Sequence, residues 1–194
     1  MLKKSIESVI WLFGILKAGA IYVPIDPQSP FTRMDHIIKH CEVESLITSR
    51  PNWRKTKAGL AKGTPMKRVI ITESNGRGAR EKACEKASGK ADEGHRGRFR
   101  DAGAGLEAIA WETIHEESQV YEPARLSDAS PAYILHTSGS TGVPKGVAIS
   151  HLNALSFVNM AADFFELSEN DRLCNHAPLH FDLSVFDLFG AVKA

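Results

Sequence analysis

Apolar positions along this chain change period several times, and each change marks an element. In "SIESVIWLFGILKAGA", Ile6, Val9, Ile10, Phe13 and Leu16 or Lys17 follow helical spacing, and Gly19 supplies a left-handed stop. "AIYVPI" reads as a short buried strand, and "DPQSP" as a turn, because prolines cannot continue a ladder. A helix is expected from near Phe31, with Ile37, Ile38 and Cys41 inward. "ESLITS" and "MKRVIITE" are the next strands. Helix and strand alternating in this way predict an α/β fold with a mostly parallel sheet and crossover helices.

The texture then changes. Residues 75–105 are rich in Gly, Ala, Lys, Arg and Glu, with Phe99 the single aromatic side chain. Such a segment buries too little apolar area to offset ordering, so it reads as a flexible charged insertion between parts spanning 1–74 and 106–194. "GLEAIAWETI" restores order, and "EPARLSDASP" is a linker. The last third is the most regular. "AYILHTS" and "KGVAISH" are strands on either side of a short loop, and "LNALSFVNMAADFFEL" is a long helix. "SEND" is a turn, "RLCNHAP" a further strand, and "HFDLSVFDLFGAVKA" opens another helix.

Composition narrows the classes. With 194 residues and a net charge of +1, the chain has no general pull toward nucleic acid or anionic membrane. No apolar run approaches the roughly 20 residues of a membrane span. The N-terminal Lys3-Lys4 followed by an apolar run imitates a secretory signal, but Glu7 and Ser8 shorten its apolar core. Cys41, Cys84 and Cys174 are far apart and form no CxxC pair, which fits a reducing cytoplasm. The basic "GHRGRFR" cluster is interspersed with acidic residues and reads as a solvated surface.

The candidate chemistry lies in "HTSGSTGVPKGVAISH". Gly139, Gly142 and Gly146 let the backbone curve and present N–H groups. Thr137, Ser138, Ser140 and Thr141 add hydroxyls, and Lys145 a mobile positive charge. Successive N–H groups in such a bend make an anion-binding concavity, and polyphosphate is the natural guest. A Walker loop would require Gly-Lys-Ser/Thr four residues after the first glycine, between strand and helix. Here Pro144, Lys145 and Gly146 occupy those places, and a strand follows. A plain hairpin turn needs only two to five residues, without four hydroxyls and a lysine.

"YILHTSGSTGVPKGVAISH" resembles the phosphate-loop motif of the AMP-forming adenylating enzymes: acyl-CoA synthetases, adenylation domains of nonribosomal peptide synthetases, and D-alanine–carrier protein ligases. Thr137 to Gly142, then Pro144-Lys145-Gly146, fit without a gap. "GILKAGAIYVPIDPQSP" and "HFDLSVFDLFGA" resemble an earlier and a later motif of that superfamily, so the likeness spans nearly everything outside 75–105. It also replaces the signal-peptide reading, since the family has a buried helix there.

The resemblance implies that a carboxylate attacks the α-phosphate of ATP, pyrophosphate leaves, and a thiol of CoA or of a phosphopantetheinyl carrier protein takes the acyl group. Thr137, Ser138, Gly139, Ser140, Thr141 and Gly142 would hold phosphates, and Lys145 would offset the charge growing on pyrophosphate. Magnesium is expected, with no ligand assignable. Asp182 reads as a helix cap on its own, but the Phe181-Asp182 pair matches the aspartate that binds the substrate ammonium in amino-acid-activating members. An amino acid is therefore the favoured carboxylic-acid substrate. Asp187 reads as a helix-surface residue, His136, His176 and His180 as structural hydrogen-bonding groups, and Trp11 and Trp111 as core. The resemblance also implies further family elements on either side, so the expectation is a partial N-terminal large domain. The alternative is a catalytically inactive remnant or interaction fragment of such an enzyme.

Overall fold

The computed structural model describes residues 1–60, 63–72, 98–101, 106–114, 117, 120–137 and 143–194. The chain divides into two compact units: Met1–Leu2 with Pro27–Tyr121, and Lys3–Asp26 with Glu122–Ala194.

The first unit holds helix α2 (Phe31–His40), strand β1 (Ser45–Ser49), helix α3 (Arg50–Leu60), strands β2 (Arg68–Thr72), β3 (Arg98–Asp101) and β4 (Leu106–Ala110), and the short helix α4 (Trp111–Ile114). The sheet order is β1-β2-β4-β3. The first three strands run parallel, with Leu46 beside Val69 and Val69 beside Ala108, while β3 pairs antiparallel with β4. Leu46, Val69 and Ala108 are buried, and α3 packs on β1 and β2 with Trp53 and Leu60 inside. Continuous apolar runs such as "VII" are what a sheet covered on both faces requires. Pro30 opens α2 with φ near −53°, Asp35 pairs with Lys39 at 2.8 Å, and Lys39 and His40 sit in the last turn, where the helix dipole favours positive charge.

The second unit holds helix α1 (Ile6–Lys17), strands β5 (Pro131–Thr137) and β6 (Lys145–Ser150), helix α5 (His151–Phe164), and a C-terminal helix. That last helix runs as α6 (Leu183–Val185), a π-helical turn (Phe186–Gly190) and α7 (Ala191–Lys193). Its core is Leu12, Tyr22, Ala132, Tyr133, Val158, Val185 and Leu188. Ser5 caps α1 and Ser150 caps α5, each in a reciprocal pair with the residue three positions on. Gly19 ends α1 with φ 72°, while Gly19 N–H bonds to Leu16 O and Ala20 N–H to Ile15 O, both at 3.0 Å. This is the Schellman stop that the sequence announces.

Several expectations change. Ile6 and Ile10 are exposed, and α1 instead buries Ser8 and Leu12, with Val9, Ile15 and Leu16 half-buried against the core. The helix is apolar on nearly every side, so spacing alone did not select its buried face. "AIYVPI" makes a single bridge, parallel, between Tyr22 and Tyr133, because Pro24 cannot donate to a longer ladder. Arg172–Pro178 is not a strand: Asn175 has φ 47°, which breaks the alternation. Lys4 Nζ there donates to the carbonyls of Asn175 and Ala177. Within 75–105, Arg98–Asp101 is a strand; the other residues of that stretch lie outside those described.

Candidate functional site

The site is built on the β5–β6 hairpin. The strands pair antiparallel from Tyr133 beside Ile149 to His136 beside Gly146 and Thr137 beside Lys145. The two ends of the glycine-rich segment therefore face each other across the last rung, and Thr137 Oγ1 donates to Lys145 O at 3.5 Å. Ser138, Gly139, Ser140, Thr141 and Gly142 lie outside the described residues. Thr137 and Lys145 are exposed at the mouth of the hairpin.

Gly146 sits close under two side chains of β5. A Cβ there would lie 3.0 Å from Ile134 Cγ2 and 3.2 Å from His136 Nε2. His136 is half-buried and lies against the strand that carries Lys145. Tyr22 N–H donates to Ala132 O at 3.2 Å, and Ile134 N–H to Tyr22 O at 3.1 Å. β5 is thus held on both edges, by β6 and by the segment after α1.

Asp182 stands exposed at the start of α6. Its Oδ1 accepts the Leu183 N–H at 2.8 Å, so the cap read from the sequence is formed. Ser184 Oγ donates to Phe181 O at 2.7 Å and fixes the same turn. One neighbour escaped sequence reasoning. Tyr133 is buried, stacks on Tyr22 with ring centres 5.1 Å apart, and has its hydroxyl pKa raised, first by burial and then by the Asp182 carboxylate. The continuous apolar run of β5, in which Ala132 and Tyr133 are both buried, carries no alternation that would single Tyr133 out. Asp187 is half-buried, inside the π-helical turn. His180 packs on Phe181 with ring centres 4.9 Å apart, and His176 is exposed.

Among the described residues no three His, Cys, Asp or Glu side chains gather to hold a metal ion. No described helix is long and apolar enough to cross a membrane.

With that geometry in place, the sequence pattern of the AMP-binding enzyme family matches residues 1–194. The chain belongs to the AMP-binding enzyme family. It is similar to the L-proline–[L-prolyl-carrier protein] ligase of Pseudomonas fluorescens, 33% identical over 190 residues, covering 98% of this chain and 32% of that protein. It is also similar to bacitracin synthase 1 of Bacillus licheniformis, 32% identical over 189 residues, covering 97% of this chain and 3% of that one. The chain thus spans about a third of the length of the proline ligase. In fold it resembles a long-chain-fatty-acid-CoA ligase from Archaeoglobus fulgidus, with TM-score 0.71 and 20% identity, covering 98% of this chain and 32% of that one. ATP-bound MatB from Rhodopseudomonas palustris has the same fold, with TM-score 0.67 and 20% identity, covering 98% of this chain and 32% of that one. The family also accounts for the parallel sheet with crossover helices read from the sequence.

Proposed function

We propose that this part of an AMP-binding enzyme serves ATP-dependent activation of a carboxylic acid, an amino acid in particular, as its acyl-adenylate, followed by transfer to a thiol. The observation that carries the reading is the hairpin, whose last rung sets Thr137 opposite Lys145 across a hydroxyl- and glycine-rich segment, in a chain of this family. A carboxylate oxygen bonds to the α-phosphorus, and the bond to the bridging oxygen breaks with its electron pair going to pyrophosphate. That oxygen gains charge as the bond lengthens, and a lysine ammonium on the β- and γ-phosphates offsets it. Thr137, Ser138, Gly139, Ser140, Thr141 and Gly142 would hold those phosphates with hydroxyl and backbone N–H groups.

Asp182 would take the substrate's ammonium. Its carboxylate is exposed and keeps an oxygen beyond the one used by Leu183 N–H. The similarity to an L-proline–[L-prolyl-carrier protein] ligase supports an amino acid and a carrier-protein thiol; the CoA ligases sharing the fold leave CoA as the other acceptor.

The test is exchange of labelled pyrophosphate into ATP, dependent on an added amino acid, in the protein that carries this segment. Exchange is expected, and Lys145→Ala lowers it by about 100-fold, the loss typical of one transition-state donor. By calorimetry, Lys145→Ala weakens ATP and pyrophosphate binding more than Asp182→Ala does. Equal effects would remove the assigned roles, and binding without exchange would favour a non-catalytic remnant.

A further inference from the structure

Helix α2 carries a pair of side chains that nucleotide activation does not use. His36 and His40 are four residues apart, on one face of the helix, with ring centres 5.6 Å apart and planes within 8°. His36 is half-buried, and its Nε2 is sheltered from water without a hydrogen-bond partner. His40 is exposed and opens the pair to solvent. A sheltered imidazole nitrogen without a partner is uncommon, because such groups cost free energy unless something satisfies them.

We propose that His36 and His40 form a two-histidine chelating site for a divalent transition-metal ion of the zinc or nickel class. Two imidazoles one helical turn apart are the arrangement that helical zinc motifs use for their paired ligands. The two rings are stacked nearly parallel, so both must turn before one ion, about 2.0–2.1 Å from a nitrogen of each, lies in the plane of both. The histidine χ2 torsion is soft, so turning both nitrogens toward a common point costs little. Imidazole donors select zinc, nickel and copper over magnesium and calcium. Lys39, on the same helix, is held 2.8 Å from Asp35 Oδ2, which offsets its charge. Two protein ligands leave the remaining positions to water. The ion would cross-link the last turn of α2 just before β1.

The test is calorimetric titration of the tag-free 194-residue chain with zinc and with nickel, alongside its melting temperature. One tight ion per chain is expected, with a melting temperature that rises with metal concentration. His36→Gln and His40→Gln each weaken that site at least tenfold and remove the thermal shift. His40 is exposed, so His40→Gln remains a fair test even if His36→Gln perturbs folding. The proposal falls if neither ion binds or if His40→Gln leaves the affinity unchanged. It falls equally if Cys41→Ser weakens binding as much as the histidine changes do.

Discussion

Two single residues show how local geometry constrains this chain. Gly19 has φ 72°, and a Cβ there would sit 2.4 Å from the Ala124 Cβ. Gly19→Ala therefore suffers twice, from a left-handed backbone and from a collision with an atom that has no rotamer to escape into. Its expected cost is about 2–4 kcal/mol, measured by urea unfolding. Asp182 combines a cap with a proposed charge, and the two separate experimentally. Asp182→Asn keeps an oxygen for the Leu183 N–H and removes the charge, so stability should move by less than about 0.5 kcal/mol. Amino-acid-dependent exchange should fall steeply, while a simple carboxylic acid of the same shape loses little. Equal loss with both acids would rule out the ammonium role.

At the scale of elements, three helices end in the same way. After α1, α2 and α5 the chain turns through a left-handed residue: Gly19, Glu42 with φ 48° and Glu166 with φ 52°. The paired bonds recur, from Val43 N–H to Ile38 O at 2.9 Å and from Leu167 N–H to Ala162 O at 2.9 Å. Glu42 and Glu166 are exposed, so their side chains offer little in return for the strain. Glu42→Gly and Glu166→Gly should each stabilise by about 0.5–1 kcal/mol, the left-handed penalty less the entropy glycine loses. A lower denaturation midpoint in either variant would contradict this.

The same elements show what the sequence could disclose. Glycine's freedom at positive φ is written in its identity, so the end of α1 was legible; a glutamate in that conformation is not. β1, β2, β5 and β6 were legible because their apolar runs are bounded by turns, prolines or glycines. The buried face of α1 was not, since apolar residues surround it. β3 was hidden because "RFRD" carries three charges in four residues, and its pairing with β4 is a tertiary choice. Thr137 and Lys145 stand out as candidates because their motif is dense in hydroxyls, glycine and charge, and Asp182 because the Phe181-Asp182 pair resembles a motif of the family. Tyr133 and the His36–His40 pair acquire meaning only from their neighbours.

At the scale of the whole molecule, long-range pairings set the response to pH. Tyr22 and Tyr133 are stacked and buried, and both hydroxyl pKa values are raised, chiefly by burial. An unfolded tyrosine ionises near pH 10, whereas these two stay neutral in the fold beyond that point. The folded state thus favours the neutral form, and its advantage is complete below about pH 10 and lost as pH rises above it. Alkaline titration followed at 295 nm should show both hydroxyls ionising together with the loss of ellipticity. Titration of either one before unfolding would contradict their burial.

The division of the sequence also has a consequence during synthesis. Residues 27–121 belong to one unit, and they interrupt the other, whose two portions are Lys3–Asp26 and Glu122–Ala194. Tyr22 leaves the ribosome well before its partner Tyr133, by roughly 5–20 s at ordinary translation rates. Through that interval α1 is an apolar helix without its partners Ala132, Tyr133, Val158, Val185 and Leu188. Chaperones that shield short apolar segments would find a substrate in α1, and the nascent chain should be most open to proteases there until residues 122–194 follow.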